Sequence, residues 1–311
     1  MDVQTTGALR RFELSVSAFL RLALASVGAL WLIMLTGAAV RLTDSGLGCR
    51  HWPGCEKGHP LPAKDYHAYI EFGNRALGGV TIAIALLTAL AAGRTPALGR
   101  GARRLAWLVF AGTLAQAPLG YLAVKTDLRW PVVAAHLLLS ALLLAGAVVV
   151  VLLTVPAVEP VVPLELRRFG LAVAGAALVL LVTGTLATAA GPHSGGGAEH
   201  VDRLWRLQPL VYVHAAAVAI FGVGVVFLLG YLAARRERAP RLFMLGLGLL
   251  ALLLVQMAIG EIQYRTHLPW PLVLVHVGLA AAVWGGLVAF VTVLWRPPVA
   301  IWLSPSCSSR T

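Results

Sequence analysis

Long apolar runs separated by short polar segments dominate the chain. Eight of them, over approximately 17–40, 67–92, 104–124, 131–154, 168–190, 209–234, 241–262 and 271–295, carry few charges. A hydrocarbon core of about 30 Å takes about 20 helical residues at ~1.5 Å each. Each run is long enough to cross, and too long for a barrel strand. A bilayer-spanning segment must also satisfy its own backbone, so helices are the expected form. The pattern predicts an all-α integral membrane protein of eight transmembrane helices. The first run, from about Val16 to Val40, exceeds the apolar core of a signal peptide, about 7–15 residues, so it reads as a retained helix.

Composition agrees. The 311 residues are 59% hydrophobic and 12% charged, against roughly 25% charged in soluble domains. A net charge of +12 raises the question of nucleic acid, but the arginines sit in short clusters between apolar runs. No basic surface interleaved with aromatics is present, so orientation in a membrane explains them better. With both termini cytoplasmic, fifteen of the 25 basic residues fall on the inner side, including Arg10 and Arg11, Arg100 to Arg104, Arg235 to Arg241, and Arg310. A multi-pass plasma-membrane protein with cytoplasmic N- and C-termini is the expected arrangement. The segment 41–66 is then an exterior loop, where Cys49 and Cys55 can form a disulfide, either as a structural staple or with a redox role. Cys307 falls on the cytoplasmic side, as a free thiol.

The two halves of the chain resemble each other. Gln116, Gly120, Thr126, Leu128, Trp130, Pro131 and His136 recur 140 residues later as Gln256, Gly260, Thr266, Leu268, Trp270, Pro271 and His276. The same offset maps Asn74 onto His214, and Thr36–Gly37 resembles Thr183–Gly184 at a slightly different offset. Four helices separate the copies, so they share one orientation, unlike an inverted transporter repeat. The expected architecture is two tandem pseudo-symmetric four-helix bundles, 1–155 and 156–311.

Candidate chemistry follows from the polar residues inside the apolar runs. His136, His214 and His276 each lie five residues after a proline (Pro131, Pro209 and Pro271). Five residues rise about 7.5 Å, so all three sit at one depth near the outer face. Intramembrane ionisable residues are costly and are functional candidates, the plain alternative being an interhelical hydrogen bond. Zinc and di-iron motifs are absent from the sequence, and an imidazole reaching into an apolar slot between helices suits heme iron. The second half offers two imidazoles, His214 and His276, as for an electron-transfer or structural heme. The first offers His136 and Asn74, and asparagine is a poor iron ligand, so a substrate or an open coordination position fits there. Glu71 shares a helix face with Asn74. It either pairs with Arg75 or handles protons and positive charge at a reacting carbon.

The segment TGAAVRLTDSGLGCRHWPGC, followed by HAYIEFGNR, together with the duplicated halves and the Trp-Pro-x4-His elements, resembles the heme A synthases of the cytochrome oxidase assembly pathway over roughly residues 20–295. The resemblance implies oxidation of the C8 methyl of heme O to a formyl group. It implies Glu71 as the essential helix 2 glutamate and Cys49–Cys55 as the exterior disulfide. It also implies His214 and His276 as ligands of a cofactor heme, taken as heme b, and His136 as a ligand in the substrate half. Where many members carry E-x-x-H-R, this chain has Glu71-Phe72-Gly73-Asn74-Arg75, which points to single ligation of heme O by His136 with an open or water-filled sixth site. Implied surroundings are membrane lipid, a heme O synthase as upstream donor, cytochrome oxidase assembly factors and an unidentified electron acceptor, with no nucleic acid. Two other classes account for the histidines: a quinone-linked bis-heme electron-transfer protein, and a heme transporter or chaperone. The first does not explain Glu71 or the cysteine loop, and the parallel repeat and unbroken apolar runs argue against the second.

Overall fold

A computed structural model describes residues 13–299, apart from 50, 53, 59–60, 63–64 and 198–200. Cys307, His59, His200, Arg10, Arg11, Arg50, Lys64 and Arg310 lie outside the described residues. The described chain is all-α: α1 Val16–Leu42, α2 Tyr66–Gly93, α3 Arg100–Lys125, α4 Trp130–Thr154, α5 Leu164–Ala190, α6 Leu207–Ala233, α7 Pro240–Arg265 and α8 Trp270–Trp295. All eight are long and apolar enough to cross a bilayer, as the apolar runs predict.

Local chemistry sets the ends. Ser15 Oγ accepts from Ala18 N at 3.2 Å, and Asp65 Oδ2 accepts from Ala68 N at 3.0 Å, capping α1 and α2. Prolines open α4, α7 and α8 in the first turn, where a missing N–H costs nothing. Helix α3 begins at Arg100 rather than near 104, because its arginines belong to a turn outside the apolar stretch; Arg103 Nη2 donates to Thr95 O at 3.1 Å. The turns after α3 and α7 are copies of each other. Asp127 and Leu128 have φ of 50° and 57°, and His267 and Leu268 have φ of 63° and 59°. Paired non-glycine residues in the left-handed region carry strain, and here the same strain recurs at the repeat offset.

Helices α1 to α4 pack as a closed ring, each on its neighbours, and α5 to α8 form a second ring in which α5 with α6 and α7 with α8 are the closest pairs. Between these groups α8 packs on α1 and α4, and α4 packs on α5. Helix α8 is the most enclosed: half of its most apolar stretch is buried, against 17–33% in the other seven. Two tryptophans fix it. Trp284 Nε1 donates to Ala141 O of α4 at 2.8 Å, and Trp31 Nε1 of α1 donates to Gly278 O of α8 at 3.0 Å. Where α4 and α8 end, the segments that follow are laced by Val158 N to Pro297 O at 2.9 Å and Val299 N to Pro156 O at 2.8 Å.

Trp284 is buried at 5% exposure, so both its ring and its N–H matter. Trp284→Phe should cost about 0.5–1.5 kcal/mol through the lost hydrogen bond, and Trp284→Ala about 3–5 kcal/mol through the cavity left behind. Thermal unfolding in detergent should therefore rank wild type above Phe above Ala. Equal melting of all three would remove this contact from the stability of the bundle.

Candidate functional site

The polar side chains inside the helices are held in repeat-related sets. In the first half, Thr36 Oγ1 of α1 lies 2.8 Å from Asn74 Oδ1 of α2. In the second, Thr183 Oγ1 of α5 lies 3.1 Å from His214 Nδ1 of α6. Gln116 of α3 reaches α4, its Nε2 3.1 Å from His136 O and 2.6 Å from Ser140 Oγ. Gln256 of α7 reaches α8, its Nε2 3.0 Å from His276 O and 3.2 Å from His276 Nε2. Every histidine singled out inside an apolar run is thus half-buried and oriented by, or alongside, a neutral polar residue from the preceding helix.

Small residues leave room against these rings. A Cβ at Gly184 or Gly260 would stand 2.9 Å from Cε1 of His214 or His276, respectively, and one at Gly120 would stand 3.6 Å from Cε1 of His136. The Nδ1 atoms of His136 and His276 are buried without a hydrogen-bond partner, a state that calls for explanation in a packed interior. Among the described residues no group of three or more His, Cys, Asp or Glu could hold a metal ion. One or two imidazoles in an apolar cleft fit an iron already held by a macrocycle, which needs only axial ligands. They do not fit a bare ion.

At the N-terminal end of α2, the disulfide Cys49–Cys55 closes a short loop. Both cysteines are buried, and Glu71 beneath them is 4% exposed. Glu71 Oε2 accepts from Cys49 N at 2.7 Å, and Glu71 Oε1 pairs with Arg75 Nη2 at 2.5 Å. Arg75 goes further than that pair. Its Nη1 donates to His51 O at 2.6 Å and Gly54 O at 2.7 Å, and its Nη2 to Cys49 O at 2.7 Å. A planar guanidinium with five donors suits this fork over three carbonyls. His67 is exposed, with Nδ1 3.0 Å from the buried Ser45 Oγ, and the His51 ring faces outward.

The loop also reaches the second half. Arg41 Nε and Nη2 donate to His193 O and Thr188 O, both at 3.0 Å. Gly46 N donates to Gly195 O at 2.8 Å, and Gly195 N to Asp44 Oδ1 at 3.2 Å. His193 Nε2 donates to Leu268 O at 2.8 Å, so it supports the strained turn before α8. Glu261 makes an exposed pair with Arg265. Sequence reasoning missed the carbonyl fork of Arg75 and the bridging role of Arg41. It used Gln116, Gln256, Thr36 and Thr183 only as marks of the repeat. A glutamine recurring inside an apolar run beside a histidine was the signal available.

A family model described as cytochrome oxidase assembly protein, COX15-CtaA, matches residues 20–288. A protein of Symbiobacterium thermophilum named heme A synthase is 28% identical over 291 residues, 88% of this chain and 94% of that one. A heme A synthase of Geobacillus thermodenitrificans is 34% identical over 111 residues, 34% of this chain and 33% of its own. A protein of Thermus thermophilus named protoheme IX farnesyltransferase is 32% identical over 283 residues, 82% of this chain and 45% of that protein.

The loop should open when its seat on α2 is disturbed. A Cβ at Gly48 would meet the His67 carbonyl carbon at 2.6 Å and oxygen at 2.7 Å, and backbone cannot swing aside. Gly48→Ala and Arg75→Lys should each speed reduction of the Cys49–Cys55 disulfide by a water-soluble phosphine about tenfold, as a ~1.4 kcal/mol gain in local opening would produce. Unchanged reduction rates would show that neither residue holds the loop.

Proposed function

The chain belongs to the cytochrome oxidase assembly protein family, COX15-CtaA, and on that footing we propose that it is a heme A synthase, oxidising the C8 methyl of heme O to the formyl group of heme A. The observation that carries the reading to particular residues is the buried Glu71 carboxylate, clasped under the disulfide loop one helical turn before Asn74. A membrane electron carrier has no use for that arrangement.

In this reading residues 1–155 form the substrate half. His136 holds heme O with its methyl turned toward Glu71. Asn74, held by Thr36, stands where the second half has His214, so the sixth position of the substrate iron receives no second imidazole. Conversion of the methyl through the alcohol to the aldehyde is a net four-electron oxidation that adds one oxygen atom; water would supply the oxygen, and the separate electron acceptor would take the electrons. Both oxygens of Glu71 are already engaged, by Arg75 and by the Cys49 amide. It is therefore placed to stabilise positive charge developing at the reacting carbon, and proton uptake on Oε2 would require release of the Cys49 N–H. Residues 156–311 form the cofactor half, where His214 and His276 would hold heme b, a group that would supply electron transfer. The loop contacts of Arg41 and Gly46 with 188–195 hold the outer ends of the two halves in register.

We also place the protein in the plasma membrane with its N- and C-termini cytoplasmic. The clusters at Arg100 to Arg104, Arg167–Arg168 and Arg235 to Arg238, all on one side of the eight-helix path, support this. A heme O synthase is the proposed upstream donor, a reading supported by the likeness to a protein named for protoheme farnesylation. Cytochrome oxidase assembly factors are the proposed setting downstream, with a separate electron acceptor.

The test is a heme extract of cells making heme O, with and without this protein, resolved by chromatography and mass. Heme A or its alcohol precursor should appear only with the protein. Unchanged heme O beside purified protein carrying heme B would favour the electron-transfer alternative instead. Glu71→Gln keeps an acceptor for the Cys49 amide and removes the charge. Measured per molecule of folded protein, because Arg75 loses its counter-charge, it should lower heme A by about 100-fold or more, the scale of a lost electrostatic contact in catalysis. Normal heme A from that variant removes Glu71 from the mechanism.

A further inference from the structure

The amides that accompany the α4 and α8 histidines use the same atoms differently. An amide nitrogen carries two hydrogens. One is used alike in both halves, since Gln116 Nε2 lies 3.1 Å from His136 O and Gln256 Nε2 lies 3.0 Å from His276 O. A carbonyl oxygen only accepts, so nitrogen rather than oxygen occupies that end of each amide. The second hydrogen goes to Ser140 Oγ at 2.6 Å in the first half, and to His276 Nε2 at 3.2 Å in the second. The cause is a single substitution between the repeats. Ser140 lies one turn beyond His136, and the position 140 residues later is Ala280, which has no oxygen to offer. Ser140 sends its own hydrogen to His136 O at 2.9 Å, which leaves its lone pairs to the amide.

We propose that Ser140 is a positioning residue: by holding Gln116 it keeps the Nε2 lone pair of His136 free of an amide hydrogen, whereas Gln256 caps the corresponding lone pair of His276. The proposal rests on the reading that the first half takes heme O on His136. A site with one imidazole facing the asparagine of α2 has a single axial bond to give. A cap on that nitrogen competes directly with iron. A site with two imidazoles tolerates a cap on one, because the other can take the iron first. An amide nitrogen only donates, so in the Gln256 contact His276 Nε2 is the acceptor. The device therefore separates the halves without moving a helix.

The experiment titrates ferric heme O into the purified full-length protein and follows the first-half absorbance change. Ser140→Ala should raise the dissociation constant about 2- to 10-fold, the effect of one hydrogen bond that must now be broken. Ser140→Thr, which keeps the hydroxyl, should stay within about twofold of wild type, a change below that of one hydrogen bond. Gln116→Leu removes the amide, so Ser140→Ala should have no further effect in that background. Wild-type affinity for Ser140→Ala, or an equal loss with and without Gln116, overturns the proposal. The synthase reading fails separately: heme O bound with this pattern, but no oxidised product in membranes, would remove that reading and leave the role of Ser140 standing.

Discussion

A polar side chain inside a bilayer has no water to turn to, and every such group here must find its partner within the bundle. The buried threonines show the simplest answer. Thr81, Thr88, Thr113 and Thr154 each return the hydroxyl hydrogen to the carbonyl one turn back, at 2.7–2.8 Å. Thr36 and Thr183 also have a carbonyl nearby, yet both additionally meet a side chain on the next helix, Asn74 and His214. The same demand explains why glutamines, rare in lipid, stand beside His136 and His276. These contacts tie α1 to α2, α3 to α4, α5 to α6 and α7 to α8 at the positions of the repeated polar residues.

The Glu71–Arg75 pair applies the rule to charge. A buried carboxylate is costly alone, and removing either partner of such a pair leaves the other uncompensated. Here the pair also seats a loop, because the guanidinium hydrogens left over from Glu71 fall on the carbonyls of Cys49, His51 and Gly54. Electrostatic satisfaction in α2 and closure of the cysteine loop are thus one structure. Through Arg41 and the Gly46–Gly195 contact, that loop is continuous with the segment after α5, and through His193 with the turn that leads to His276. The disulfide is best seen as one member of this assembly rather than as its sole fastener.

Much of the fold was legible because lipid makes apolar length a strong signal. The observed helices depart from the apolar runs by a few residues, chiefly at α3 and α5, where arginines near the membrane edge continue a helix that hydropathy alone would end. The repeat was legible because tryptophan, proline, histidine and glutamine coincide at one offset. The structure adds the duplicated left-handed turns at 127–128 and 267–268, which confirm that the backbone repeats as well as the residues. The fork of Arg75 was not legible, since it depends on the path of a loop rich in glycine and proline. Sequence spacing showed only that Glu71 and Arg75 share a helix face. The substitution of Ala280 for Ser140 was visible in the alignment of the halves, but it had no meaning until the second amide hydrogen of each glutamine could be followed to its acceptor.

Duplication alone would produce two equal sites, so the positions that differ carry the division of labour. Two differences lie directly on the inward-facing groups: Asn74 against His214, and Ser140 against Ala280. Neither disturbs the packing. A threonine hydroxyl both donates and accepts, so Thr36 and Thr183 can support an amide oxygen or an imidazole nitrogen without rearrangement, and the contacts measure 2.8 Å and 3.1 Å accordingly. A glutamine amide likewise shifts one hydrogen between a serine oxygen and a ring nitrogen while the other stays on the same carbonyl. Supporting residues that tolerate either partner let the residues facing the cleft diverge at little cost in stability. Such a scaffold lets repeat-related positions differ while the helices that carry them keep the same supports.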